Sequence, residues 1–526
     1  MVMLEEAQQG FIECFVAQAK ATPQRLFASY EGEPVSFERL HRASEAIAAA
    51  LRRRGIGSGD RVAVMLRNGP ATLAVLFGLA KAGTVWVPIN VQQRGDGLRY
   101  ILDHADPKLA IVEDDLLSVV TGSGAHLDAR AIVGARNAGG LPAWLAQADL
   151  FGQPAPTSDD TFAIMYTSGT TGPPKGVMVS HRMLRLAGEG AARVAGARDG
   201  DVFFVWEPLY HIGGAQLLVV PLLKDVVLTM VERFSATRFW EQVKACGATH
   251  IHFLGGILQI LLKQPASPLD RTHGVRIAWG GGAPSDIWQT FQERFGIEIR
   301  ECYGMTEASS ITTSNELGII GSVGRPMPWL SVEIMGADGQ PVAPGQRGEI
   351  VTREIAPGAI TKGYFRNPEA TAKALRKGQL HTGDLGSFDE AGNLYFHGRM
   401  SDSVRCKGEN VSAWEVEHIA ASHPAVEDCA MIGVRSDVGE QDIKLFLKPR
   451  AGAGIDLPAF SSWIGTRLAP YQNPRYLALV EEFERTPSLR IMKHKLSPAV
   501  DDAWDRLSGA APPGPLAAAA KEDVSP

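Results

Sequence analysis

The sequence predicts an α/β protein with a large N-terminal α/β domain and a small C-terminal α/β domain. Strand-like and helix-like segments alternate, with a buried strand at residues 61–66, a helix at 71–83 and another strand at 84–88. This alternation favours a parallel sheet with helices on its faces. The 526 residues exceed the length of one ordinary domain, and the roughly one hundred residues after Gly408 contain strands and helices of their own. We therefore expect two domains of unequal size.

The composition argues against several classes of function. Hydrophobic residues make up 45% and charged residues 21%, which is ordinary for a globular protein with a large core. The net charge of −6 provides no basic surface for nucleic acid, and no apolar run approaches the length of a membrane span. The five cysteines lack C-x-x-C spacing, and the N-terminus lacks a signal-peptide pattern. We expect a cytoplasmic protein with reduced thiols, no membrane span and no nucleic-acid partner.

Hydrophobic periodicity predicts the remaining elements. Apolar residues recur at helical spacing in residues 11–21 and, more strongly, in residues 40–54. Strand-like runs are expected at 161–166, 275–279, 297–301, 430–434 and 444–447. The first two of these runs lead directly into glycine-rich segments, where the backbone can approach a ligand closely.

The segment after residues 161–166 has the chemistry of a phosphate-binding loop. Its glycines let backbone N–H groups point at an anion, and its hydroxyl and ammonium groups add hydrogen-bond donors. The spacing of a Walker loop is absent, and a Gly/Ser/Thr stretch is alternatively a flexible surface loop. A lysine fixed after two prolines favours the phosphate-binding interpretation. The residues predicted to contact nucleotide phosphates are Thr167, Ser168, Gly169, Thr170, Thr171, Gly172 and Lys175.

This loop resembles the signature of the adenylate-forming superfamily, which contains acyl-CoA synthetases, peptide-synthetase adenylation domains and luciferases. Further segments similar to that family follow in order from Pro208 to Glu417, so the resemblance covers nearly the whole chain. The resemblance implies the adenylate-forming fold, in which a large N-terminal domain is followed by a small mobile C-terminal domain. The expected divisions are an acyl- and AMP-binding domain at 1–398, a hinge at 399–402, a mobile domain at 403–505 and a disordered tail at 506–526.

The resemblance also implies the rest of the nucleotide site. Tyr303 suits stacking on the base, Glu307 and Thr170 suit binding of Mg²⁺, and Asp384 suits hydrogen bonds from the ribose hydroxyls. The alternatives for these segments are a strand-ending turn, a solvated turn with an incidental acid and a charged linker. The other residues implied for nucleotide binding are Gly281, Gly282, Ala283, Pro284, Gly304, Met305, Thr306 and Arg399.

The same resemblance implies residues that bind the acyl group and CoA. The implied acyl pocket contains His211, Phe253, Gly255 and Gly280, with His211 as a gate, although a lone histidine is more often a core or surface residue. Asp402 would be the hinge between the domains. The loop Gly408, Glu409 and Asn410 would line the tunnel for the pantetheine arm of CoA. The residues with implied catalytic roles are His211, Glu307, Lys407 and Arg490.

One segment departs from the family pattern. Relatives carry Pro-x-x-Gly-Lys near the C-terminus, and that lysine contacts the carboxylate and the α-phosphate during adenylation. Here Leu489 and Arg490 occupy the glycine and lysine positions. The planar guanidinium of arginine does not replace a lysine ammonium at a tight site, and leucine lacks the conformational freedom of glycine. We therefore expect adenylation to be weakened or lost.

The expected activity is formation of an acyl-CoA thioester from an acyl-adenylate and CoA, with ATP or AMP, Mg²⁺ and CoA as ligands. A separate adenylating enzyme would then supply the adenylate. The alternatives are a complete two-step synthetase, an enzyme that loads a carrier protein, and a nucleotide-binding sensor, which the intact phosphate loop argues against. Gly214, Gly255 and Gly256 would leave room for a hydrophobic, bulky acid, or would alternatively serve helix packing.

Overall fold

The computed structural model describes residues 10–128, 131–136, 140–147, 151–152, 156–167, 173–254, 256–400, 403–406, 409–436, 441–468, 470, 472–485 and 491–509. The strands are β1 (Leu26–Tyr30), β2 (Glu33–Ser36), β3 (Arg61–Met65), β4 (Val85–Pro88), β5 (Leu109–Val112), β6 (Ile132–Gly134), β7 (Thr161–Thr167), β8 (Lys175–Ser180), β9 (Val202–Val205), β10 (Val227–Met230), β11 (His250–Leu254), β12 (Ile277–Gly281), β13 (Glu298–Tyr303), β14 (Thr313–Asn315), β15 (Arg325–Pro326), β16 (Leu330–Met335), β17 (Gly348–Glu354), β18 (Leu375–Arg376), β19 (Gln379–Phe388), β20 (Leu394–Arg399), β21 (Ser403–Cys406), β22 (Glu409–Ser412), β23 (Val426–Arg435), β24 (Gln441–Pro449), β25 (Tyr476–Leu479) and β26 (Trp504–Asp505). The α-helices are α1 (Phe11–Ala21), α2 (Phe37–Arg53), α3 (Pro70–Lys81), α4 (Gly95–Ala105), α5 (Leu117–Thr121), α6 (Leu141–Leu145), α7 (His181–Val194), α8 (Ile212–Ala215), α9 (Val220–Leu223), α10 (Phe239–Ala245), α11 (Ile257–Lys263), α12 (Leu269–Thr272), α13 (Ser285–Phe295), α14 (Pro368–Ala374), α15 (Ala413–Ala421) and α16 (Leu457–Gly465).

Two mainly parallel sheets form the large domain. The six-stranded sheet has the order β6-β5-β3-β4-β7-β8, and the nine-stranded sheet has the order β15-β14-β13-β12-β11-β9-β10-β1-β2. All pairs from β6 to β7 and from β13 to β1 are parallel, whereas β8, β14, β15 and β2 pair antiparallel at the edges. The predicted alternation of strands and helices is confirmed, as is the α/β class.

Helix α1 lies between these two sheets and connects them through aromatic rings. Phe11 contacts Phe162 of the six-stranded sheet, with ring centroids 5.2 Å apart. One helical turn later, Phe15 contacts Phe27 of the nine-stranded sheet at 6.5 Å and Phe77 of α3 at 4.3 Å. All five rings are buried in the largest core cluster. Burial of these side chains therefore fixes the relative positions of the two sheets.

Two helices begin where a serine ends the preceding strand. Ser36 accepts a hydrogen bond from the Arg39 N–H, so α2 starts at Phe37, before the predicted position 40. Ser180 accepts a hydrogen bond from the Met183 N–H at 3.1 Å and starts α7 directly after β8. The serine caps set both boundaries because they satisfy N–H groups that the first helical turn leaves free.

A third sheet and a small domain complete the fold. Strands β16, β17, β19 and β18 form an antiparallel sheet to which β20 adds by pairing with β19. The small domain contains the hairpin β21–β22 and the four-stranded sheet β23-β24-β25-β26 with helices α15 and α16. It contacts the large domain where Lys263 Nζ lies 3.7 Å from the Glu427 carboxylate, and where the His397 and Trp414 rings meet. Two domains of unequal size are thus confirmed. Among the described helices, none is long and apolar enough to cross a membrane.

Gly188 provides a test of the packing beneath α7. A Cβ atom at this glycine would lie 2.3 Å from Val219 Cβ and 3.1 Å from the Gln216 carbonyl oxygen. Although alanine favours a helix interior by about 1 kcal/mol over glycine, we expect Gly188→Ala to lower the free energy of unfolding by about 1–3 kcal/mol through overpacking. Thermal unfolding followed by circular dichroism would measure the effect.

The matched control for this variant is Gly97→Ala in α4. A Cβ atom at Gly97 would meet only the flexible end of the Gln93 side chain, at 3.1 Å, so this substitution should leave the melting temperature equal or higher. A melting temperature of Gly188→Ala equal to that of the parent protein would contradict the close packing.

Candidate active site

The carboxyl ends of three neighbouring parallel strands form the base of the site. Leu254 of β11 pairs with Gly281 of β12, and Gly280 pairs with Glu301 of β13, so these strands end at one edge of the nine-stranded sheet. Ligands of open α/β sheets bind at the carboxyl edge of the strands. The structure therefore brings together three of the segments that the sequence singles out, namely residues 253–254, 280–284 and 303–307.

Gly280 is required by the close approach of the β11 backbone. Its φ is +156°, and a Cβ atom would lie 1.8 Å from the Phe253 carbonyl oxygen. Gly281 is similarly confined, with a Cβ position 3.1 Å from the Cys302 carbonyl oxygen. The Phe253 backbone borders Gly280, and the Phe253 ring is buried in a core cluster with Trp288.

A buried carboxylate that the sequence analysis missed holds the segment after Gly281. Glu301 Oε1 accepts hydrogen bonds from the N–H groups of Gly282 and Ala283 at 2.9 and 3.0 Å. Burial raises the pKa of Glu301 to about 8, and these two hydrogen bonds partly oppose the rise. The sequence feature that could have identified Glu301 is an acid at the end of the strand-like run 297–301, two residues before Tyr303.

Asp384 is buried, accepts a hydrogen bond from Tyr303 and forms an ion pair with the half-buried Arg399. The Tyr303 hydroxyl donates to Asp384 Oδ2 at 2.7 Å, and Arg399 Nε lies 3.4 Å from Asp384 Oδ1. Asp384 and Arg399 are register partners of β19 and β20, which explains their proximity. The Tyr303 ring itself stacks on Phe396, with ring centroids 5.6 Å apart. Burial next to Asp384 raises the pKa of Tyr303, so the phenol stays a proton donor to the carboxylate.

Hydrogen bonds to the neighbouring strand order the turn before Asp384. Thr382 Oγ1 accepts from the Asp384 N–H at 3.1 Å and donates to the Ile350 carbonyl oxygen at 2.6 Å. The Gly383 N–H donates to Glu349 Oε1 at 3.1 Å. The φ of Gly383 is +71°, a value that favours glycine. The Thr-Gly-Asp segment therefore presents Asp384 in one orientation.

Glu307 and Lys175 meet at Tyr364, which the sequence analysis also missed. The Tyr364 hydroxyl donates to Glu307 Oε1 at 2.9 Å, and Lys175 Nζ lies 5.3 Å from the centre of the Tyr364 ring. Burial raises the pKa of Glu307. Tyr364 thus contacts both a lysine of the predicted phosphate loop, 189 residues earlier in the sequence, and the acid predicted to bind Mg²⁺.

Backbone strain is concentrated directly after Glu307. Ser309 and Ser310 have φ values of +53° and +67°, which is uncommon for residues other than glycine. The Ser309 hydroxyl donates to the Ala359 carbonyl oxygen at 2.7 Å. Gly304 accommodates the returning chain, because a Cβ atom would lie 1.8 Å from the Ser310 carbonyl oxygen. Thr306 is buried in the same segment, whereas Met305 is half-buried.

His211 lies in a tight loop between β9 and α8. Its N–H donates to the Pro208 carbonyl oxygen at 3.1 Å, and its ring contacts that of Tyr210 with centroids 4.8 Å apart. Asn68 fixes the loop, since Asn68 Nδ2 donates to the Glu207 carbonyl oxygen at 2.8 Å and Asn68 Oδ1 accepts from the Leu209 N–H at 3.0 Å.

Close packing explains the glycine at position 214, which lies in α8 directly after this loop. A Cβ atom at Gly214 would lie 2.3 Å from the Pro208 carbonyl oxygen, so the tight turn requires glycine there. At Gly256 a Cβ atom would meet only the Gln259 side chain, at 3.6 Å. The turn thus accounts for Gly214 without reference to the size of the acyl group.

Several predicted site residues lie outside the described part of the chain. Thr167 and Lys175 pair at the base of the phosphate loop, where Thr167 Oγ1 donates to the Lys175 carbonyl oxygen at 3.5 Å. Glu409 and Asn410 begin β22 of the small domain. The predicted residues outside the described ranges are Ser168, Gly169, Thr170, Thr171, Gly172, Gly255, Asp402, Lys407, Gly408 and Arg490.

The described carboxylates suit a metal that is bound mainly by phosphate oxygens. Within the described ranges, no group of three or more His, Cys, Asp or Glu side chains has metal-binding geometry. Mg²⁺ is commonly held by one or two carboxylates together with substrate phosphates and water. Glu307 fits this requirement because burial disfavours its charge in the absence of a nearby cation.

The raised pKa of Glu301 leads to a test by pH. A carboxyl group with a higher pKa in the folded state than in the unfolded state stabilises the fold fully at low pH and loses that contribution as pH rises towards its folded pKa. Between about pH 4.5 and pH 8, the stability of the parent protein should therefore fall relative to that of Glu301→Gln, whose amide oxygen still accepts both N–H groups. Chemical unfolding at a series of pH values would measure the difference.

The exposed Glu298→Gln variant, on the same strand, is the control and should follow the parent protein at every pH. A constant stability difference between the parent and Glu301→Gln across this range would contradict protonation of Glu301.

Comparisons with known proteins agree with this geometry. The family described as AMP-binding enzyme matches residues 15–365, and the AMP-binding enzyme C-terminal domain matches residues 415–490. A crotonobetaine/carnitine–CoA ligase of Salmonella paratyphi A is 32% identical over 501 residues, which cover 90% of this chain and 95% of that protein.

Solved structures share the fold over nearly the whole chain. ATP-bound MatB from Rhodopseudomonas palustris has a TM-score of 0.83 at 27% identity and covers 92% of this chain and 97% of its own. The o-succinylbenzoate CoA synthetase MenE from Bacillus subtilis, in complex with the acyl-adenylate OSB-AMP, has a TM-score of 0.82 at 24% identity, with coverage of 93% and 98%. The second likeness supports the fold alone. From the family matches, the curated relative and the site geometry together, this chain belongs to the AMP-binding enzyme family of adenylate-forming enzymes and is an acid–thiol ligase of the acyl-CoA synthetase type.

Proposed function

We propose that this chain forms an acyl-CoA thioester from an acyl-adenylate and CoA, and that its own ATP-dependent adenylation is weakened. The observation that carries the thioester activity is the Tyr303–Asp384–Arg399 group, in which Tyr303 and Asp384 are buried, beside the Glu307–Tyr364–Lys175 group at the carboxyl edge of the nine-stranded sheet. These residues suit the ribose and phosphates of an adenylate. The weakened first step rests on Leu489 and Arg490.

Two reactions are available to an enzyme of this type. In adenylation, an oxygen of the acid attacks the α-phosphorus of ATP and pyrophosphate leaves. In thioester formation, the sulfur of CoA attacks the acyl carbon, the thiol proton is lost and AMP leaves with the electrons of the C–O bond. The second reaction needs the AMP moiety held in place but does not need the pyrophosphate side of the site.

The predicted nucleotide-site residues and His211 have the following roles in this scheme. Asp384 accepts hydrogen bonds from the ribose hydroxyls, because a carboxylate retains acceptor sites beyond the one that Tyr303 occupies. Lys175 and the phosphate loop bind the phosphates, and the Gly282–Ala283 segment borders the adenine. Mg²⁺ held by Glu307 and Thr170 would stabilise the negative charge of the phosphates. His211 would act as the gate of the acyl pocket.

Rotation of the small domain would separate the two reactions. Asp402 would be the pivot, and the expected divisions at 1–398 and 403–505 stand as part of this proposal. After rotation, the loop Gly408, Glu409 and Asn410 would line the tunnel for pantetheine, with Lys407 next to it. The segment that contains Arg490 would leave the site, so that thioester formation does not depend on this residue.

Weakened adenylation follows from the chemistry of the substituted residues. A lysine ammonium is a compact point charge, whereas the arginine guanidinium is planar and has a fixed donor geometry. Loss of one preorganised donor to developing charge typically costs roughly 10²–10³ in rate. A separate adenylating enzyme would then supply the acyl-adenylate. A complete two-step synthetase and an enzyme that loads a carrier protein are the competing activities.

The acyl substrate is proposed to be a carboxylic acid with a hydrophobic, bulky body. Gly256 supports this proposal, since within the described ranges its Cβ position meets the Gln259 side chain alone, at 3.6 Å. Gly214 gives no such support, because its turn requires glycine. The similar ligase of Salmonella paratyphi A carries a name that refers to crotonobetaine and carnitine.

Asp384 provides a test of the nucleotide site. We expect Asp384→Ala to slow both adenylation and thioester formation by roughly 10- to 100-fold, because hydrogen bonds to a charged group contribute about 1.5–3 kcal/mol. Asp338→Asn, at an exposed surface turn, is the control and should leave both rates unchanged. Quenched-flow assays with a synthetic acyl-adenylate and CoA would measure the second reaction. A normal thioester-forming rate in Asp384→Ala would remove this residue from the ribose site.

A comparison of the two reactions tests the proposed loss of adenylation. Pyrophosphate release is measured with ATP and a panel of acids, and CoA consumption is measured with the matching adenylates. We expect rapid acyl-CoA formation from an adenylate and pyrophosphate release that is slower by roughly 10²–10³ than in the double variant Leu489→Gly/Arg490→Lys.

The control for this comparison is the rate of thioester formation, which should be equal in the parent chain and the double variant. Strong pyrophosphate release that depends on one acid in the parent chain would instead identify a complete two-step synthetase. Transfer to a carrier-protein pantetheine without transfer to CoA would identify the loading enzyme.

A further inference from the structure

Two buried ionisable side chains lie side by side at the carboxyl edge of the nine-stranded sheet. His252 Nδ1 is 2.9 Å from Glu207 Oε2, and the two side chains are only 6% and 5% exposed. Glu207 follows β9, and His252 lies in β11, the strand paired with β9. Neither residue has a role in the nucleotide site described above.

The location of this Glu207–His252 pair is next to the elements proposed to bind the acyl group. Glu207 Oε1 lies 3.0 Å from the Cβ position of Gly213, in α8 directly after His211. Burial raises the pKa of Cys302, and nearby Glu301 and Glu207 add to the rise; Cys302 Sγ donates to the Gly280 carbonyl oxygen. The pair is therefore surrounded by the His211 loop, the Gly280 segment and the end of β13.

Aromatic rings form the apolar surroundings of the pair. The His252 ring contacts the Trp279 ring edge to face, with centroids 4.4 Å apart, and its centroid lies 6.4 Å from that of Trp206. Trp206 Nε1 donates to the His252 carbonyl oxygen at 2.9 Å, which fixes the indole against β11. A charged group in such surroundings has little access to water, so its remaining hydrogen-bonding capacity must be met by protein or ligand.

That capacity is not met by the described part of the chain. Glu207 Oε2 and His252 Nδ1 are close, but their geometry is not that of a hydrogen bond, and both atoms are buried without another partner. Within the described ranges, no N–H or O–H group donates to the Glu207 carboxylate. Leaving a buried polar group unpaired is destabilising, and more so when the group is charged.

Two ion pairs that each contain a buried lysine, within the described ranges, are saturated in comparison. Glu45 Oε1 accepts from Lys81 Nζ at 2.5 Å, and Glu45 Oε2 accepts from the Phe151 N–H at 2.9 Å. Lys444 Nζ donates to two carbonyl oxygens and to Asp502. These pairs have the hydrogen bonds that a structural role requires, whereas the Glu207–His252 pair lacks them.

We propose that Glu207 and His252 are the specificity-determining residues of the acyl pocket and bind a hydrogen-bonding hydroxyl or amino group on the acyl chain of the substrate. This inference rests on the proposed acyl-CoA ligase function. The group donates its hydrogen to the Glu207 carboxylate, and a hydroxyl oxygen also accepts from His252. The substrate is then an acid with an apolar body that carries one polar substituent, and the unsubstituted acid is a poor substrate.

A site built to hydrogen-bond such a group discriminates strongly. The analogue that lacks the group leaves the buried carboxylate unpaired, and selectivities of about 10⁴–10⁵ are known for sites of this kind. Glu207 and His252 still face each other when the unsubstituted acid is bound, which lowers the cost of the missing group. We therefore expect a smaller preference for the substituted acid, of at least roughly 10²-fold in kcat/KM.

The test uses synthetic acyl-adenylates in matched sets that differ only in a methyl, hydroxyl or amino group, placed at each position along the acyl chain. CoA consumption gives kcat/KM for each acyl-adenylate, and this measurement does not depend on the adenylation reaction because the adenylate is supplied. We expect the parent chain to prefer the hydroxyl or amino member of one set, and Glu207→Leu to reverse that preference in favour of the methyl member. The Glu207→Gln variant distinguishes a hydroxyl preference from an amino preference. It keeps an acceptor, so a preference for the hydroxyl member persists, but it removes the negative charge that an ammonium group requires, so a preference for the amino member is lost.

The matched control is Glu45→Gln, which alters a saturated ion pair in a different part of the fold and should leave the preference unchanged. Circular dichroism establishes that each variant is folded. If Glu207→Leu does not fold, Glu207→Met, which removes the carboxylate and keeps the length of the side chain, decides the result through a reduced preference. A methyl member preferred at every position, or the parent's preference ratio in the folded Glu207→Leu or Glu207→Met variant, would overturn the proposal.

Failure of the proposed function gives a different result. If no adenylate is converted to acyl-CoA, the ligase function is wrong, and the same matched sets are measured as non-reactive acyl-sulfamoyl-adenosines by titration calorimetry. Tighter binding of a hydroxyl or amino member, lost in Glu207→Leu, would support recognition by the pair. Equal affinity across each set would overturn it.

Discussion

The hydrogen bond from Tyr303 to Asp384 joins two parts of the large domain that are 81 residues apart in sequence. Tyr303 is the last residue of β13 in the nine-stranded sheet, and Asp384 belongs to β19 in the third sheet. With both side chains buried, this bond is shielded from competition with water. It fixes the position of Asp384 relative to the glycine segment of β12, and the proposed nucleotide site depends on that relation.

Burial of carboxylates is the second feature on which the site depends. Glu301, Glu307 and Asp384 are each less than a tenth exposed, and each accepts a hydrogen bond from a neutral donor. Burial raises the pKa values of Glu301 and Glu307, so these side chains hold loops in place at little cost in uncompensated charge. An arriving cation or a network of ligand hydroxyls finds acceptors that are already oriented, which is the condition for electrostatic preorganisation.

Close backbone contacts set the shape of the same edge. Gly280 lies against the Phe253 carbonyl oxygen and Gly304 against that of Ser310, and any Cβ atom at these positions would collide with backbone. Because these contacts involve backbone atoms, side-chain rearrangement cannot relieve them. The strained serines after Glu307 return the chain towards Gly304 and place the acid beside Tyr364.

Local sequence determined the parts of this protein that depend on local physics. The alternation of apolar runs and amphipathic segments predicted the parallel sheets, since strand and helix periods are properties of neighbouring residues. The glycine segment after residues 275–279 and the acids Glu307 and Asp384 were also identifiable, through local composition and the resemblance to a family. The strand registers that place Gly280 beside Phe253 and Asp384 beside Arg399 were not identifiable, because they pair residues distant in the chain.

Tertiary structure alone decided the partners of the predicted residues. Three contacts are examples, namely Tyr364 with Glu307, Glu301 with Gly282, and Glu207 with His252. In each of them, nothing in the local sequence around one residue predicts which residue it will contact. The sequence likewise predicted Phe253 as part of an acyl pocket, and the structure adds that its ring is buried in a core cluster while its carbonyl oxygen lies against Gly280. A side chain in a strand points to one face or the other according to register, and its partners depend on how the sheets pack. The sequence by itself therefore determined which chemical groups the site residues carry. Only the packing of the sheets determined which of these groups lie close together and which are buried, and these two properties set their pKa values and hydrogen bonds.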